Sequence, residues 1–492
     1  MREAKMRIAF LDVADYDYTA ETAYRQPLGG SSSAICYLAE ELVRQGQEVF
    51  LLNKTTTPGV FLGVTCLPFA EMSIELRQTL DVLVVVNVAE HGRQLRAVLP
   101  EWTRLVLWTQ HAHDQPAIQA LKEVDECAVY DGFALVSEWQ SGQYQQHFAV
   151  EPQRIQVLRN GISPVFQRDE GGLAIALTHK PHPPILAYTS TPFRGLDRLL
   201  DAFPAIQRAI PGTTLKVFSS MKVYNLPETQ YEALYQQCQE TEGVEYVGSV
   251  AQPVLAKELQ AVSMLAYPNT FAETSCIAVM EAMASGCWVV TSDLGALPET
   301  TAGFARLIPM GDDRSVYQQQ FIDAVVAVLQ QGLANPAETE RRLQQQVSYV
   351  NQTYRWSVRA QEWITWLEGL VAEGGRSRDQ PPSDALQQQA MALFEQQDYV
   401  QATVRYRQLV EEAPDRVSHY WSLGLSLLLQ GEVDEAQTVW MTALMASGES
   451  LDDRLLELNS LLHREYERQQ RLGNLVAAEH LESCLQSLAE NF

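Results

Sequence analysis

Between Phe271 and Gly286 the sequence reads FAETSCIAVMEAMASG, with two carboxylates, Glu273 and Glu281, eight positions apart among small and apolar residues. The residues after Cys276 read as a helix ended by Gly286, so one carboxylate stands at the helix mouth and the other two turns inside. Eight residues of helix span roughly 12 Å. A glycosidase acid/base pair is about 5 to 9.5 Å apart, so paired-carboxylate hydrolysis fits poorly. Two contacts to one long ligand fit better. Glu273 would accept hydrogen bonds from hydroxyls at one end, and Glu281 a bidentate pair from hydroxyls at the other. Between them the N–H groups of Thr274, Ser275, Cys276 and Ile277, at the helix start, favour an anion. Hydroxyls, diphosphate and hydroxyls in that order make a nucleotide sugar.

A helix mouth of this kind needs a strand in front of it, and SMLAYPN supplies one. It belongs to a series of short apolar runs: PILAYTS, TLKVFSS, VEYVGSV, SMLAYPN and CWVVTSD. An earlier series, RIAFLDV, EVFLLN, DVLVVVNV, RLVLWTQ and DGFALVS, precedes the proline-rich break HKPHPP at 179–184. Strands that alternate with helix-length segments pair in parallel. The expected fold is therefore α/β, with two Rossmann-like domains in series (1–170 and 171–371) and a ligand cleft between the carboxyl ends of their sheets.

Length and charge bound the rest. At 492 residues the chain exceeds one core, and a net charge of −25 argues against binding a nucleic-acid backbone. No apolar run approaches the roughly 18 residues of a membrane span. The start, MREAKMRIAFLDVADYDY, lacks the apolar core of a secretory signal. Seven scattered cysteines without a CxxC pair speak against a disulfide framework or a zinc site, and for a reducing cytoplasm.

A third region follows the polar linker AEGGRSRDQPPSD (372–384). In 385–492, Leu386, Ala390, Leu393, Ala402, Tyr406, Leu409 and Pro414 recur 34 positions on as Tyr420, Gly424, Leu427, Ala436, Trp440, Ala443 and Gly448. Small residues at the eighth and twentieth positions let paired helices cross closely. The segment resembles the tetratricopeptide repeat, with 452–490 as a degenerate third unit or capping helices. Residues 380–492 hold 7 Arg, no Lys and 18 Asp or Glu, a net of −11, which suits a basic or polar protein partner.

The two-glutamate run and its continuation AMASGCWVVTSDLGALPE resemble the donor-site signature (E-x7-E) of the GT-B glycosyltransferases of family 4. Further blocks occur in the same order: LGGSSSAICYLAEELVRQGQEV, RIQVLRNGISPVF and FRGLDRLLDAFPAI. The resemblance covers about residues 6–370. It implies that Glu273 binds the donor's sugar hydroxyls and Glu281 the ribose hydroxyls. Gly29 and Gly30 would let backbone approach a phosphate, with a tight turn as the plain alternative. Arg194 would neutralise the leaving diphosphate. A second basic residue usual five positions earlier is here Thr189, and Lys222 is a candidate substitute. A histidine near the transferred sugar would be His111, with His113 and Asp114 as rivals. Asn160 would shape the crossing between domains, and a helix carrying Trp356, Trp363 and Trp366 would cross back to the first domain. Asp15 and Asp17 mimic the DxD metal motif of another glycosyltransferase architecture and read as an acidic loop. The resemblance implies retaining, metal-independent transfer from a nucleoside diphosphate sugar to an acceptor hydroxyl on a glycan, lipid or small molecule, with no cofactor. Two rivals stand beside it: transfer to a protein recruited by the repeats, and a repeat scaffold with a degenerate transferase domain.

Overall fold

A computed structural model describes the chain at residues 5–168, 180–373, 383–414, 416–444 and 451–491. The expected boundary at 170/171, most of the linker 372–384, and Gly448 of the repeat lie outside the described residues. The chain divides into two compact units, Met1–Arg378 and Asp379–Phe492.

The first unit holds two sheets. One is built from β1 (Arg7–Leu11), β2 (Glu48–Asn53), β3 (Gly59–Phe61), β4 (Val64–Pro68), β5 (Val82–Val86), β6 (Arg104–Thr109), β7 (Gly132–Leu135) and β8 (Ile155–Val157). Its order is β3-β4-β2-β1-β5-β6-β7-β8, parallel except for β3, which turns back on β4. The other comprises β9 (Ile185–Tyr188), β10 (Thr214–Val217), β11 (Val244–Tyr246), β12 (Met264–Tyr267), β13 (Trp288–Ser292) and β14 (Arg306–Ile308). All its pairings are parallel, in the order β11-β10-β9-β12-β13-β14. β5 shows why the sequence folds this way: VLVVV is buried at every position, as a strand covered on both faces must be. Strand order reverses between β1 and β5 in one sheet and between β9 and β12 in the other. At such switch points the loops leaving adjacent strands diverge and open a crevice.

The apolar runs read from sequence coincide with strands of these sheets. The strands β3, β4, β8 and β14 were not among them. They are short and largely half-buried or exposed, so no continuous apolar run marks them.

Helix Trp356–Glu373 packs into the core of the first sheet, with Trp356 and Trp363 fully buried. Trp363 meets Trp108 edge-on at 5.2 Å between ring centroids and Phe10 at 6.3 Å. The chain thus crosses between domains twice, and the Ile162 N–H donates to the Tyr354 carbonyl at 2.7 Å where the crossings meet. Trp356 and Trp363 are core residues, and Trp366 packs half-buried against them.

The second unit is helical: Ser383–Glu395, Tyr399–Glu412, Val417–Leu429, Val433–Leu444, Leu451–Arg471 and Leu475–Asn491. The first four pack each on the next, and the last two on each other. The small residues sit where close crossing requires them. Ala390, Ala402 and Ala436 are fully buried, and a Cβ on Gly424 would run into the Trp440 indole. No helix among the described residues is long and apolar enough to cross a membrane.

Candidate active site

Loops at the carboxyl ends of both sheets line a cleft of about 650 Å³. From the first sheet come Pro27 to Ser31 after β1, and Gln110, His111 and Gln115 to Ala117 after β6. From the second come Thr189 to Thr191 and Arg194 after β9, Tyr224 after β10, and Glu273 to Ala278 after β12. Among the described lining residues Arg194, Glu273 and Glu281 carry the carboxylate and guanidinium groups. The wall formed by Pro27, Leu28, Gln115, Pro116 and Ala117 is uncharged.

Glu273 is 3% exposed and bonded at both oxygens. Arg194 Nη1 donates to its Oε1 and Oε2 at 3.0 and 3.2 Å, and the Tyr267 hydroxyl donates to Oε1 at 2.6 Å. Burial, reinforced by this carboxylate, holds the Tyr267 phenol protonated, well above its ordinary value. The Arg194 guanidinium sits over both Phe271 and Phe193, 4.8 and 5.4 Å from their centroids, and the two rings meet edge-on at 5.9 Å. Its Nε has no hydrogen-bond partner among the described residues. Arg194 therefore orients Glu273 with one edge and keeps another donor in hand.

Glu281 is also 3% exposed, but no cation pairs with it among the described residues. Burial pushes its carboxyl up to about 8, against hydrogen bonds from the Ser163 N–H, at 3.5 Å, and the Gln252 side chain. Near neutral pH it is largely a neutral acid waiting for hydrogen-bonding partners.

Cys276 stands at the N-cap of helix Ile277–Ala284 in an extended conformation, and the Met280 N–H donates to its carbonyl at 3.2 Å. Thr274, Ser275, Cys276 and Ile277 all line the cleft there. The Cys276 thiol is buried and pushed well above its ordinary value, chiefly by burial, so it is not a ready nucleophile. Thr274 Oγ1 donates to the Gln110 carbonyl at 2.7 Å, tying the loop after β12 to the first domain. The side chain of Asn160 donates to Gln110 Oε1 at 3.0 Å, which places it in the crossing segment.

Gly29 and Gly30 open helix Gly30–Arg44 and line the cleft. Gly29 has φ −60°, so a left-handed turn is not its reason. Close approach is: a Cβ there would stand 2.7 Å from the Tyr224 ring. His111 lines the cleft, its Nδ1 buried and unpartnered among the described residues, and burial lowers its pKa.

Three expected residues are not brought to the cleft. Lys222 is 75% exposed at its side chain and pairs with Glu228 at 3.4 Å, because its short helical turn aims it along the surface. It cannot replace the absent cation, and Lys222→Ala is expected to leave nucleotide affinity within about twofold, as a screened surface pair allows. His113 stacks on His147 at 3.9 Å instead of facing the cleft. Asp114, next along the loop, is exposed and does not line it. At Thr189 the hydroxyl is buried and unpartnered among the described residues, in a residue that lines the cleft. Asp15 and Asp17 bond Lys54 and Thr56 in an exposed loop. No group of three or more metal-ligating side chains gathers among the described residues.

Sequence reasoning missed Tyr267 and Gly295. Gly295 has φ +62°, and a Cβ there would fall 2.7 Å from the Glu273 nitrogen and closer still to its carbonyl oxygen. Ala296 N–H donates to that same carbonyl at 2.7 Å. Gly295→Ala should strain the turn and displace Glu273, lowering turnover roughly a hundredfold, while circular dichroism still reports a folded protein.

Fold and cleft define a class: two doubly wound domains in series with one site between their sheets. Residues 184–331 match the family described as Glycosyl transferases group 1. The D-inositol 3-phosphate glycosyltransferase of Segniliparus rotundus is 26% identical over 192 residues, 38% of this chain and 42% of that protein. The chain thus spans less than half the length of that relative. Among solved structures, sucrose-phosphate synthase from Thermosynechococcus elongatus matches with a TM-score of 0.54 at 17% identity, over 75% of this chain and 100% of that one. Anabaena HepE in complex with UDP-glucose matches at 0.52 with 14% identity, over 74% and 100%. At these identities the likeness is one of fold, the GT-B arrangement.

Proposed function

We propose that the chain transfers a sugar from a nucleoside diphosphate sugar to an acceptor hydroxyl on a glycan, lipid or small molecule. One observation carries the reading: Glu273 with Arg194, the mouth of helix Ile277–Ala284, and Glu281 line one cleft between two Rossmann sheets. The ribose hydroxyls bond Glu281, the diphosphate meets the N–H groups of Thr274 to Ile277 and Arg194, and the sugar bonds Glu273. His111 faces the transferred sugar from the first domain. The family match and the fold shared with a protein solved with UDP-glucose support the donor class.

Transfer proceeds with retention. The bond from the anomeric carbon to the diphosphate oxygen breaks, and the acceptor oxygen bonds the same face. The acceptor proton passes to the leaving phosphate oxygen. Charge grows on that oxygen, and Arg194 is placed to stabilise it. Glu273 is held by Arg194 and Tyr267, and Cys276 is held neutral, which suits a path without a protein nucleophile. The guanidinium and helix N–H groups do the work of a cation, so no metal is required. The described cysteines are buried and unpaired, which suits a cytoplasmic protein.

Incubation with UDP-, GDP- and ADP-sugars tests this. Nucleotide release that persists in chelator, with a product of unchanged anomeric configuration by NMR, is expected. Silence across the panel together with no nucleotide binding would sink it. The second unit reads as tetratricopeptide-type on its buried small residues, and its acidic surface suits a basic or polar partner. The complete Glu273, Arg194 and Glu281 set favours an active transferase over a degenerate scaffold.

A further inference from the structure

Glu299 closes the run LGALPE but does not line the cleft. Its carboxylate, on helix Leu297–Thr301 of the second domain, reaches helix Glu138–His147 of the first. There the Glu138 N–H donates to Oε2 at 2.9 Å and the Trp139 N–H at 3.3 Å. Arg159, in the crossing segment, donates from Nε and Nη2 to Oε1 at 3.0 and 2.7 Å. A carboxylate of one domain thus caps a helix of the other, where the helix dipole favours negative charge.

Each end of this contact leads to the site. On one side, Gly295 packs on the Glu273 backbone, and Ala296 donates to its carbonyl. On the other, helix Glu138–His147 holds the His111 carbonyl through Gln140 Nε2 at 2.8 Å and the Tyr144 hydroxyl at 3.0 Å. Arg159 also has an alternative partner within its own domain. Its Nη2 is 2.7 Å from Glu299 and 3.9 Å from Glu138. If the domains part, Arg159 can turn to Glu138, and the Glu138 and Trp139 N–H groups lose this acceptor while Ser137 still caps Gln140. One guanidinium thus stands within ion-pair reach of a carboxylate from each domain.

We infer that Glu299 is an interdomain positioning residue, a brace that holds the two sheets at the separation where Glu273 and His111 face one donor. The brace stands on these contacts alone; its effect on donor use rests on the transfer reading.

Spin labels on Val60→Cys in the first domain and Leu333→Cys in the second measure the separation directly. Both sites are more than half exposed, and the native cysteines are buried, so labelling is selective. In the ligand-free full chain, Glu299→Ala and Arg159→Ala should each broaden the distance distribution toward a longer population. The double variant should add nothing further. Glu299→Gln keeps an acceptor for the N–H groups but loses the charge, and should fall between. For the donor, KM should rise about tenfold with kcat within about twofold, because saturating donor restores the closed state. Simple loss of folded enzyme would lower the apparent kcat instead. Distributions unchanged in both Glu299→Ala and Arg159→Ala would overturn the inference. Shifted distances in a protein that binds and turns over no nucleotide sugar would uphold the brace and sink the transfer reading.

Discussion

Replacing Arg194 with alanine is expected to lower donor turnover by roughly a hundred- to a thousandfold, the usual cost of removing a group that stabilises developing charge. The loss has two parts. The leaving diphosphate no longer meets a guanidinium, and Glu273 loses both bonds from Nη1, keeping Tyr267 alone. A carboxylate only 3% exposed and stripped of its cation costs about 3 to 5 kcal/mol while it stays charged. Melting temperature, beside initial rates, checks both parts. Arg194→Lys keeps a charge without the planar fork and should fall between. Full activity in Arg194→Ala would remove the residue from the mechanism.

Glu281→Gln should weaken nucleotide binding on the order of a hundredfold and yet stabilise the ligand-free protein. The sign follows from burial, which raises this carboxyl from 4.5 to about 8 in the folded state. Between those values the unfolded chain has released the proton and the folded one holds it, so wild-type stability falls as pH rises through that window. A glutamine carries no such penalty. Below about pH 4.5 the two proteins should match. Near pH 8 to 9 the variant should be more stable by a few kcal/mol at most, and several degrees in Tm. Stability conceded for function marks a binding residue. A variant that is less stable than wild type at pH 8 would instead make Glu281 a structural residue.

Much of this site was legible in sequence because its key residues share one loop and one helix. The spacing of Glu273 and Glu281 is local, and the runs that became β9 and β12 are buried on both faces. Lys222 was misjudged because nearness to a strand end does not say which way a turn aims its side chain. Glu228, six residues on, captures it. Tyr267 and Glu299 carry no local sign of their roles. Tyr267 reads as an ordinary apolar strand residue, and Glu299 acts on partners 140 to 161 positions away. The short strands β3, β8 and β14 were hidden for want of burial. The strands and the make-up of the loop after β12 are therefore readable from local pattern, whereas the contacts that join the two domains arise only once both sheets are in place.

The placement of a nucleotide's ribose on Glu281 underlies every role given to the cleft, and proton release on binding tests it. Nucleoside diphosphates titrated calorimetrically at pH 7, in buffers of different ionisation enthalpy, report the protons released per ligand bound. With a carboxyl at about 8 that must ionise to accept two hydroxyls, close to one proton should leave, and affinity should rise roughly tenfold from pH 7 to a plateau above 8. In Glu281→Gln both the release and the pH dependence should vanish. Binding without proton release, or a release that survives in Glu281→Gln, would contradict the placement, and no binding by any nucleotide would contradict the donor site itself.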